Sequence, residues 1–117
     1  MKDNPVEVKS LDFAVRIVRL FQYLKDQKKE YVLSKQLLRS GTSIGANVKE
    51  AVQAQSRPDF ISKMNIALKE CAETEYWLEL LSRTGYLTTE QYRSIYDQNH
   101  ELLKLLTSIV RTSKETN

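Results

Sequence analysis

The sequence has little of the residues that break helices or cross-link chains. Its 117 residues include three glycines, two prolines and one cysteine, Cys71. A single thiol cannot form an intramolecular disulfide, and residues 1–10 carry charges where a secretory signal needs an apolar run, so we expect a cytoplasmic protein. No apolar stretch approaches the ~18–20 residues that span a bilayer, and we expect no membrane role.

Groups for catalysis or metal binding are equally scarce. His100 is the only histidine, and Asp97 lies three residues before it. A di-metal bundle needs a Glu-x-x-His pair on each of two helices and two further glutamates, so this single pair does not make a site. Cys71 falls within an apolar helical seam, where a thiol is inert. Four acidic residues are interpreted as a solvated or intersubunit face rather than an acid–base pair: Glu70, Glu73, Glu75 and Glu79. We therefore expect no enzymatic activity, no metal site and no cofactor.

Apolar residues recur at helical spacing in four segments. Ser10, Ser56 and Thr88 are candidate N-caps, and Gly85 fits the left-handed position that ends the third helix. Short connections make consecutive helices antiparallel. The sequence predicts one all-α, up-down-up-down antiparallel four-helix-bundle domain over residues 1–117, with polar tails at about 1–9 and 112–117. The four stripes begin at Phe13, Leu33, Phe60 and Tyr92.

One polar residue interrupts the apolar seam of the fourth helix. Asn99 occupies a position that the helical spacing directs into the core. Buried amides find hydrogen-bond partners. We expect Asn99 to bond to another polar group such as Ser40, Asn47 or Thr74.

Apolar residues are left over after the core stripes are filled. Leu11, Val15 and Val18 lie roughly opposite Phe13 and Ile17 on the first helix. Aligned strips on three helices exceed what a monomer usually leaves in water, so we expect a homo-oligomer. The predicted interface residues are Ile66, Trp77, Leu80, Leu38, Gly41, Gly45 and Val52.

Gly41 and Gly45 form a Gly-x-x-x-Gly spacing. The missing side chains let another helix approach closely. Two interpretations remain open, a contact between subunits and close packing within the bundle.

The positive charge is concentrated in the first half of the chain. Residues 1–50 hold ten basic and six acidic residues, a balance of +4, whereas residues 51–117 hold eight and nine, a balance of −1. Such a surface suits phosphate contacts, although a solvated face is the alternative. The candidate nucleic-acid-binding residues are Lys35, Arg39, Lys49, Lys28, Lys29, Arg16 and Arg19.

The stretch from Gln36 to Ala51, QLLRSGTSIGANVKEA, resembles the signature of the four helix bundle protein family, also known as 23S rRNA intervening-sequence proteins. The similarity continues through residues 59–61, 67–71, 73–78 and 84–87. The resemblance implies short bacterial proteins without enzymatic activity. It also implies kinship with the accessory variability protein of diversity-generating retroelements, a basic pentameric barrel that engages nucleic acid and a reverse transcriptase.

Two functions of different classes follow. The first is a homo-oligomer, expected to be a pentamer, that binds RNA or DNA or serves as a ribonucleoprotein adaptor through its basic surface. The alternative is a scaffold that binds another protein through its apolar strips, with the charge serving solubility alone. Salt-dependent binding to nucleic acid distinguishes them.

Overall fold

Four helices account for most of the chain. The computed structural model describes residues 4–115, which form α1 (Pro5–Asp26), α2 (Leu33–Val52), α3 (Arg57–Arg83) and α4 (Thr89–Glu115). Each helix contacts the next and α4 contacts α1, so the four close into a bundle of about 48 × 24 × 20 Å. The predicted all-α four-helix bundle is confirmed, and residues 4–115 contain no strand.

Contacts between neighbours establish that consecutive helices are antiparallel. Early residues of α1 meet late residues of α2, since Glu7 contacts Lys49 near one end while Ile17 lies beside Gly41 further along. The same reversal relates α3 and α4, because Arg57 at the start of α3 donates to the Ser113 carbonyl near the end of α4 at 3.2 Å. It also relates α2 and α3, where Glu50 near the end of α2 pairs with Lys63 near the start of α3. Up-down-up-down order follows.

The first helix begins earlier than the sequence predicted. Asn4 is the N-cap, because its side chain accepts a hydrogen bond from the Val6 N–H at 3.1 Å and Pro5 fits the first helical position. Ser10, the predicted cap, is buried within the helix and donates to the Glu7 carbonyl. The predicted tails are therefore helical at residues 5–9 and 112–115, while residues 1–3 and 116–117 lie outside the described residues.

The other predicted helix ends are confirmed. Ser56 accepts from the Asp59 N–H at 3.2 Å at the start of α3. Gly85 ends α3 with φ of +86°, which lets the next N–H reach back to Leu81 at 2.9 Å. Thr88 and Gln91 bond reciprocally at 2.9 and 3.1 Å, which is the capping box that starts α4.

A small polar layer crosses the middle of the core. Asn99 is fully buried as predicted, but its partner is Cys71, whose carbonyl accepts from the Asn99 Nδ2 at 3.1 Å and whose Sγ lies 3.2 Å from the Asn99 Oδ1. The expected partners Ser40 and Thr74 instead bond to each other at 2.9 Å. Burial, with a smaller effect from Glu75, raises the pKa of Cys71 to about 12, so the thiol stays protonated.

The two glycines of the Gly-x-x-x-Gly spacing face α1 of the same chain. A Cβ added at Gly41 would lie 2.8 Å from two carbons of Ile17, and one at Gly45 would lie 3.3 Å from the Ser10 carbonyl oxygen. Gly41 is buried and has no surface left for another subunit, so its assignment to the oligomer interface is corrected. Close packing within the bundle is the reason for the small residue there.

Gly41→Ala should therefore destabilise the bundle. A methyl group at this position displaces the Ile17 side chain, and overpacking of this kind costs about 1–3 kcal/mol, of which ~0.5–1 kcal/mol is offset by the better helix propensity of alanine. Urea unfolding should show the loss in the wild-type background. In an Ile17→Ala background the same substitution should be neutral or stabilising, and an equal cost in both backgrounds would contradict the packing argument.

Candidate nucleic-acid interface

Three of the seven predicted cations are held by partners within the chain. Arg39 pairs with Glu70 at 3.3 Å and with Glu73 on α3. The hydrogen bond to Glu73 raises the pKa of Arg39, and the same bond lowers the pKa of Glu73. Lys49 pairs with Glu7 at 3.4 Å. Arg16 donates to the side chains of Ser94 and Gln98 across the seam between α1 and α4.

The other four predicted cations are exposed and have no ion-pair partner within residues 4–115. They lie at one end of the bundle, on the later turns of α1, on the loop between α1 and α2, and on the first turn of α2: Arg19, Lys28, Lys29 and Lys35. Lys25, which the sequence analysis did not single out, adds a cation 3.9 Å from Asp26. We call Arg19, Lys28, Lys29 and Lys35 the loop-end cations and leave out Lys25, because Asp26 is its partner.

The loop between α1 and α2 is tied down at both ends. Lys29 adopts a left-handed φ of +55°, and the Glu30 N–H donates back to the Leu24 carbonyl at 3.0 Å. The carboxylate of Glu30 accepts from the backbone N–H groups of Val32, Leu33 and Ser34 at 3.2, 2.9 and 2.6 Å. Glu30 thereby satisfies three of the four unpaired amides at the start of α2.

This use of Glu30 changes the charge that the loop presents. The residue is only 7% exposed. Burial alone would raise the pKa of Glu30, but the hydrogen bonds from Leu33, Ser34 and Val32 outweigh burial and hold the pKa below its ordinary value of 4.5. The only acid between Gln27 and Val32 is therefore ionised and turned inward, and the outer surface of the loop carries positive charge alone.

A groove opens beside the loop-end cations. It has a volume of about 250 Å³ and lies between α1 and the start of α4. Arg16, Arg19 and Tyr23 form its α1 wall, and Leu87, Gln91 and Ile95 form the opposite wall. Lys28 places its amine 6.0 Å from the centre of the Tyr23 ring. The groove and the loop thus form one cationic surface with an aromatic wall.

The sequence profile of the 23S rRNA-intervening sequence protein family matches residues 2–108. The chain belongs to this family. A crystal structure of a protein of unknown function from the S23 ribosomal protein family of Bacteroides thetaiotaomicron is similar, with 66% identity over 90% of this chain and 97% of that chain and a TM-score of 0.89. No curated protein matches the chain significantly. Family and fold therefore agree with the resemblance read from residues 36–51.

The predicted oligomer residues of this family member differ widely in exposure. Ile66 and Val52 are 38% and 37% exposed, whereas Leu38, Trp77 and Leu80 are half-buried. Trp77 packs against the core and donates from Nε1 to Glu73 at 2.9 Å, so it is less outward than its helical position suggested. A larger apolar surface lies on α1, where four side chains are 38–64% exposed: Val8, Leu11, Val15 and Val18.

The one histidine of the sequence packs against an aromatic ring. His100 stacks on Tyr96 with ring centres 5.5 Å apart. No group of three or more histidine, cysteine, aspartate or glutamate side chains within residues 4–115 could hold a metal ion. No helix in that part of the chain is long and apolar enough to cross a membrane.

Glu30→Ala should lower the free energy of unfolding by about 1–2 kcal/mol near neutral pH, the cost of losing a capping side chain. The pKa of Glu30 is lower in the folded than in the unfolded state, so its contribution is complete above 4.5 and is lost as the pH falls through the folded pKa. Urea unfolding at several pH values should show wild type and variant converging in acid.

Glu90→Ala provides the matched control for Glu30→Ala. Glu90 is an exposed acid in the first turn of α4, so it lies near a helix N-terminus as Glu30 does, but its side chain accepts no backbone hydrogen bond within residues 4–115. Its replacement should cost a few tenths of a kcal/mol. Equal losses at both positions would show that the three amide bonds contribute nothing.

Proposed function

We propose that this protein is a cytoplasmic, non-enzymatic homo-oligomer, a pentamer, that binds RNA or DNA as an adaptor in a ribonucleoprotein. The observation that carries the proposal is the cluster of loop-end cations that have no ion-pair partner in the described chain. Membership of a family named for intervening sequences of 23S rRNA supports RNA as the partner.

The electrostatic argument depends on which charges remain available. A lysine that already has a carboxylate partner, such as Lys49 or Lys63, must give it up before it neutralises a phosphate. Lys28, Lys29 and Lys35 have no such partner and release counterions from the nucleic acid directly. Binding should therefore be concentrated at the loop end of the bundle, where Lys35 lies on the first turn of α2, rather than further along α2 at Arg39 and Lys49.

Self-association is supported by the outer face of α1. Val8, Leu11, Val15 and Val18 recur at spacings of three, four and three, which is the spacing of a helix–helix seam, although the core lies on the opposite side of the helix. Beside them a shallow groove of about 320 Å³ is lined largely by small residues. Contiguous apolar surface of this kind marks an interaction site.

Oligomerisation would multiply the cationic surface. Each subunit contributes one set of loop-end cations, and a long strand can contact several sets at once. The second contact is then intramolecular, so overall affinity exceeds that of a single weak site. In this proposal the apolar face of α1 mediates self-association, and the loop-end cations of each subunit bind the nucleic acid.

A scaffold that binds another protein remains the second candidate, and the exposed α1 face is the observation that favours it. On that hypothesis the loop-end cations serve solubility. The protein would then show no salt-dependent affinity for nucleic acid, and a foreign protein would replace a second copy on α1.

Removing two unpaired lysines should weaken nucleic-acid binding. Lys28→Gln with Lys35→Gln eliminates two phosphate contacts, so the slope of log K against log salt should fall by about 0.7–0.9 per lysine. Fluorescence anisotropy with a labelled RNA over a range of salt concentrations measures both affinity and slope. Circular dichroism should show unchanged helicity, since both residues are exposed.

The matched control removes the same net charge from paired lysines. Lys49→Gln with Lys63→Gln takes away two cations that Glu7 and Glu50 already neutralise. Its affinity and salt slope should stay close to those of the wild type. Equal weakening by both double variants would refute the role of the loop end, and wild-type protein without affinity for RNA or DNA at low salt would refute nucleic-acid binding altogether.

Val15→Glu should dissociate the oligomer. The substitution places a charge in the middle of the α1 apolar face, where burial against a second copy would leave the carboxylate desolvated and unpaired. Light scattering should then report the mass of a monomer. Ser108→Glu adds the same charge to an exposed position on α4 and should leave the assembly intact; a monomeric wild type would remove the basis for the self-association proposal.

A further inference from the structure

The loop between α1 and α2 presents a half-exposed aromatic ring that is not part of the hydrophobic core. Tyr31 is 52% exposed and the adjacent Val32 is 69% exposed. Lys28 and Lys29 precede them and are also exposed. An aromatic side chain among unpaired cations is the composition of surfaces that bind single-stranded nucleic acid, where bases stack on rings and phosphates meet lysines.

Glu30 explains why these side chains are on the outside. Three backbone N–H groups hold its carboxylate against the start of α2. Its neighbours on either side, Lys29 and Tyr31, are left on the exposed surface of the loop. The exposure of Tyr31 is therefore a consequence of the backbone hydrogen bonds to Glu30.

The loop holds this arrangement before any ligand arrives. The Glu30 N–H bonds to Leu24 on one side, and the Glu30 side chain bonds to the first turn of α2 on the other. Segments already fixed in their bound shape lose less conformational entropy on binding. Tyr31 and the two lysines consequently act as a preformed surface.

A strand that leaves the loop has a continuing path along α1. Tyr23 lies beneath the amine of Lys28, and Arg19 lies at the edge of the adjoining groove. This path alternates aromatic faces with cations, as the loop itself does. Several consecutive nucleotides could contact it without any base-specific hydrogen bond.

We propose that the loop Gln27–Val32 binds unpaired nucleotides of RNA or DNA, with Tyr31 stacking on a base and Lys28 and Lys29 contacting the flanking phosphates. The proposal rests on the proposed nucleic-acid function and adds the class of ligand. A duplex hides its base faces in the helical stack, so it would meet only the lysines. A membrane surface fits less well, because Val32 is the only aliphatic side chain that the loop exposes.

The test compares Tyr31→Ala with wild type by anisotropy on four labelled ligands. These are a uridine oligonucleotide, a thymidine oligonucleotide, an abasic strand of equal length and a duplex. Loss of one stacked base should weaken binding to both base-containing strands by about 5- to 150-fold. Binding to the abasic strand should not change, because it offers the same phosphates and no base. Tyr31→Phe should retain the wild-type affinity, since the ring is kept.

Tyr76→Ala is the matched control. Tyr76 is 59% exposed on α3 and is not part of the loop, so its removal should leave all four affinities unchanged. Equal binding of base-containing and abasic strands by the wild type would overturn the stacking proposal while leaving nucleic-acid binding intact. Failure to bind any of the four ligands would instead overturn the proposed function on which it rests.

Vesicles containing phosphatidylserine test whether the loop binds an anionic lipid surface instead of nucleic acid. The proposal expects Tyr31→Ala to change affinity for base-containing strands and not affinity for vesicles. If the substitution abolishes vesicle binding while wild type and variant bind oligonucleotides equally, the loop is a lipid-binding site and the proposal is wrong.

Discussion

The connection between α1 and α2 depends on one buried carboxylate. The first amides of α2 need acceptors, and Val32, at the N-cap position, supplies no side-chain hydrogen bond. Glu30 supplies the missing acceptor from two to four residues earlier in the chain. The geometry that brings its carboxylate to those amides also fixes the direction of the loop, and with it the positions of the neighbouring lysines and tyrosine.

The same bonds determine the electrostatic character of this end of the bundle. In the sequence, Glu30 follows Lys28 and Lys29 and would partly cancel their charge if all three were solvated. In the structure its charge is satisfied by backbone dipoles on the inside. A helix cap and a cationic surface are thus two consequences of one interaction, which explains why the cluster of unpaired charge lies at a helix junction rather than along a helix face.

Periodicity was sufficient to predict the bundle, because burial follows the 3.6-residue repeat. The seam of α3 from Met64 to Leu81 is buried as its spacing indicated, and Gly85 and the Thr88–Gln91 box mark the predicted boundaries. The predicted start of α1 was wrong because more than one residue in this segment can cap a helix. Spacing alone did not distinguish Asn4, the observed N-cap, from Ser10. The partner of Asn99 depended on the rotation of α3 against α4, which no single-helix pattern contains.

The candidate site was predictable only in part, because a helical wheel describes one helix at a time. Lys35, Arg39 and Lys49 share the outer face of α2, yet Arg39 reaches Glu70 on α3 and Lys49 reaches Glu7 on α1. Charges at the edges of an outer face can meet the neighbouring helices, whereas a position far from both neighbours keeps its charge free.

That rule also accounts for the apolar face of α1. Residues diametrically opposite a core stripe have no neighbour within the bundle, so their chemistry is not set by the fold of the single chain. Lys35 on α2 and Val15 on α1 occupy equivalent outer positions, but one is charged and the other apolar. Neither choice improves packing inside the bundle. Under the proposed function, the loop-end cations would contact nucleic acid and the apolar face of α1 would contact a second copy, so assembly and binding would use separate surfaces.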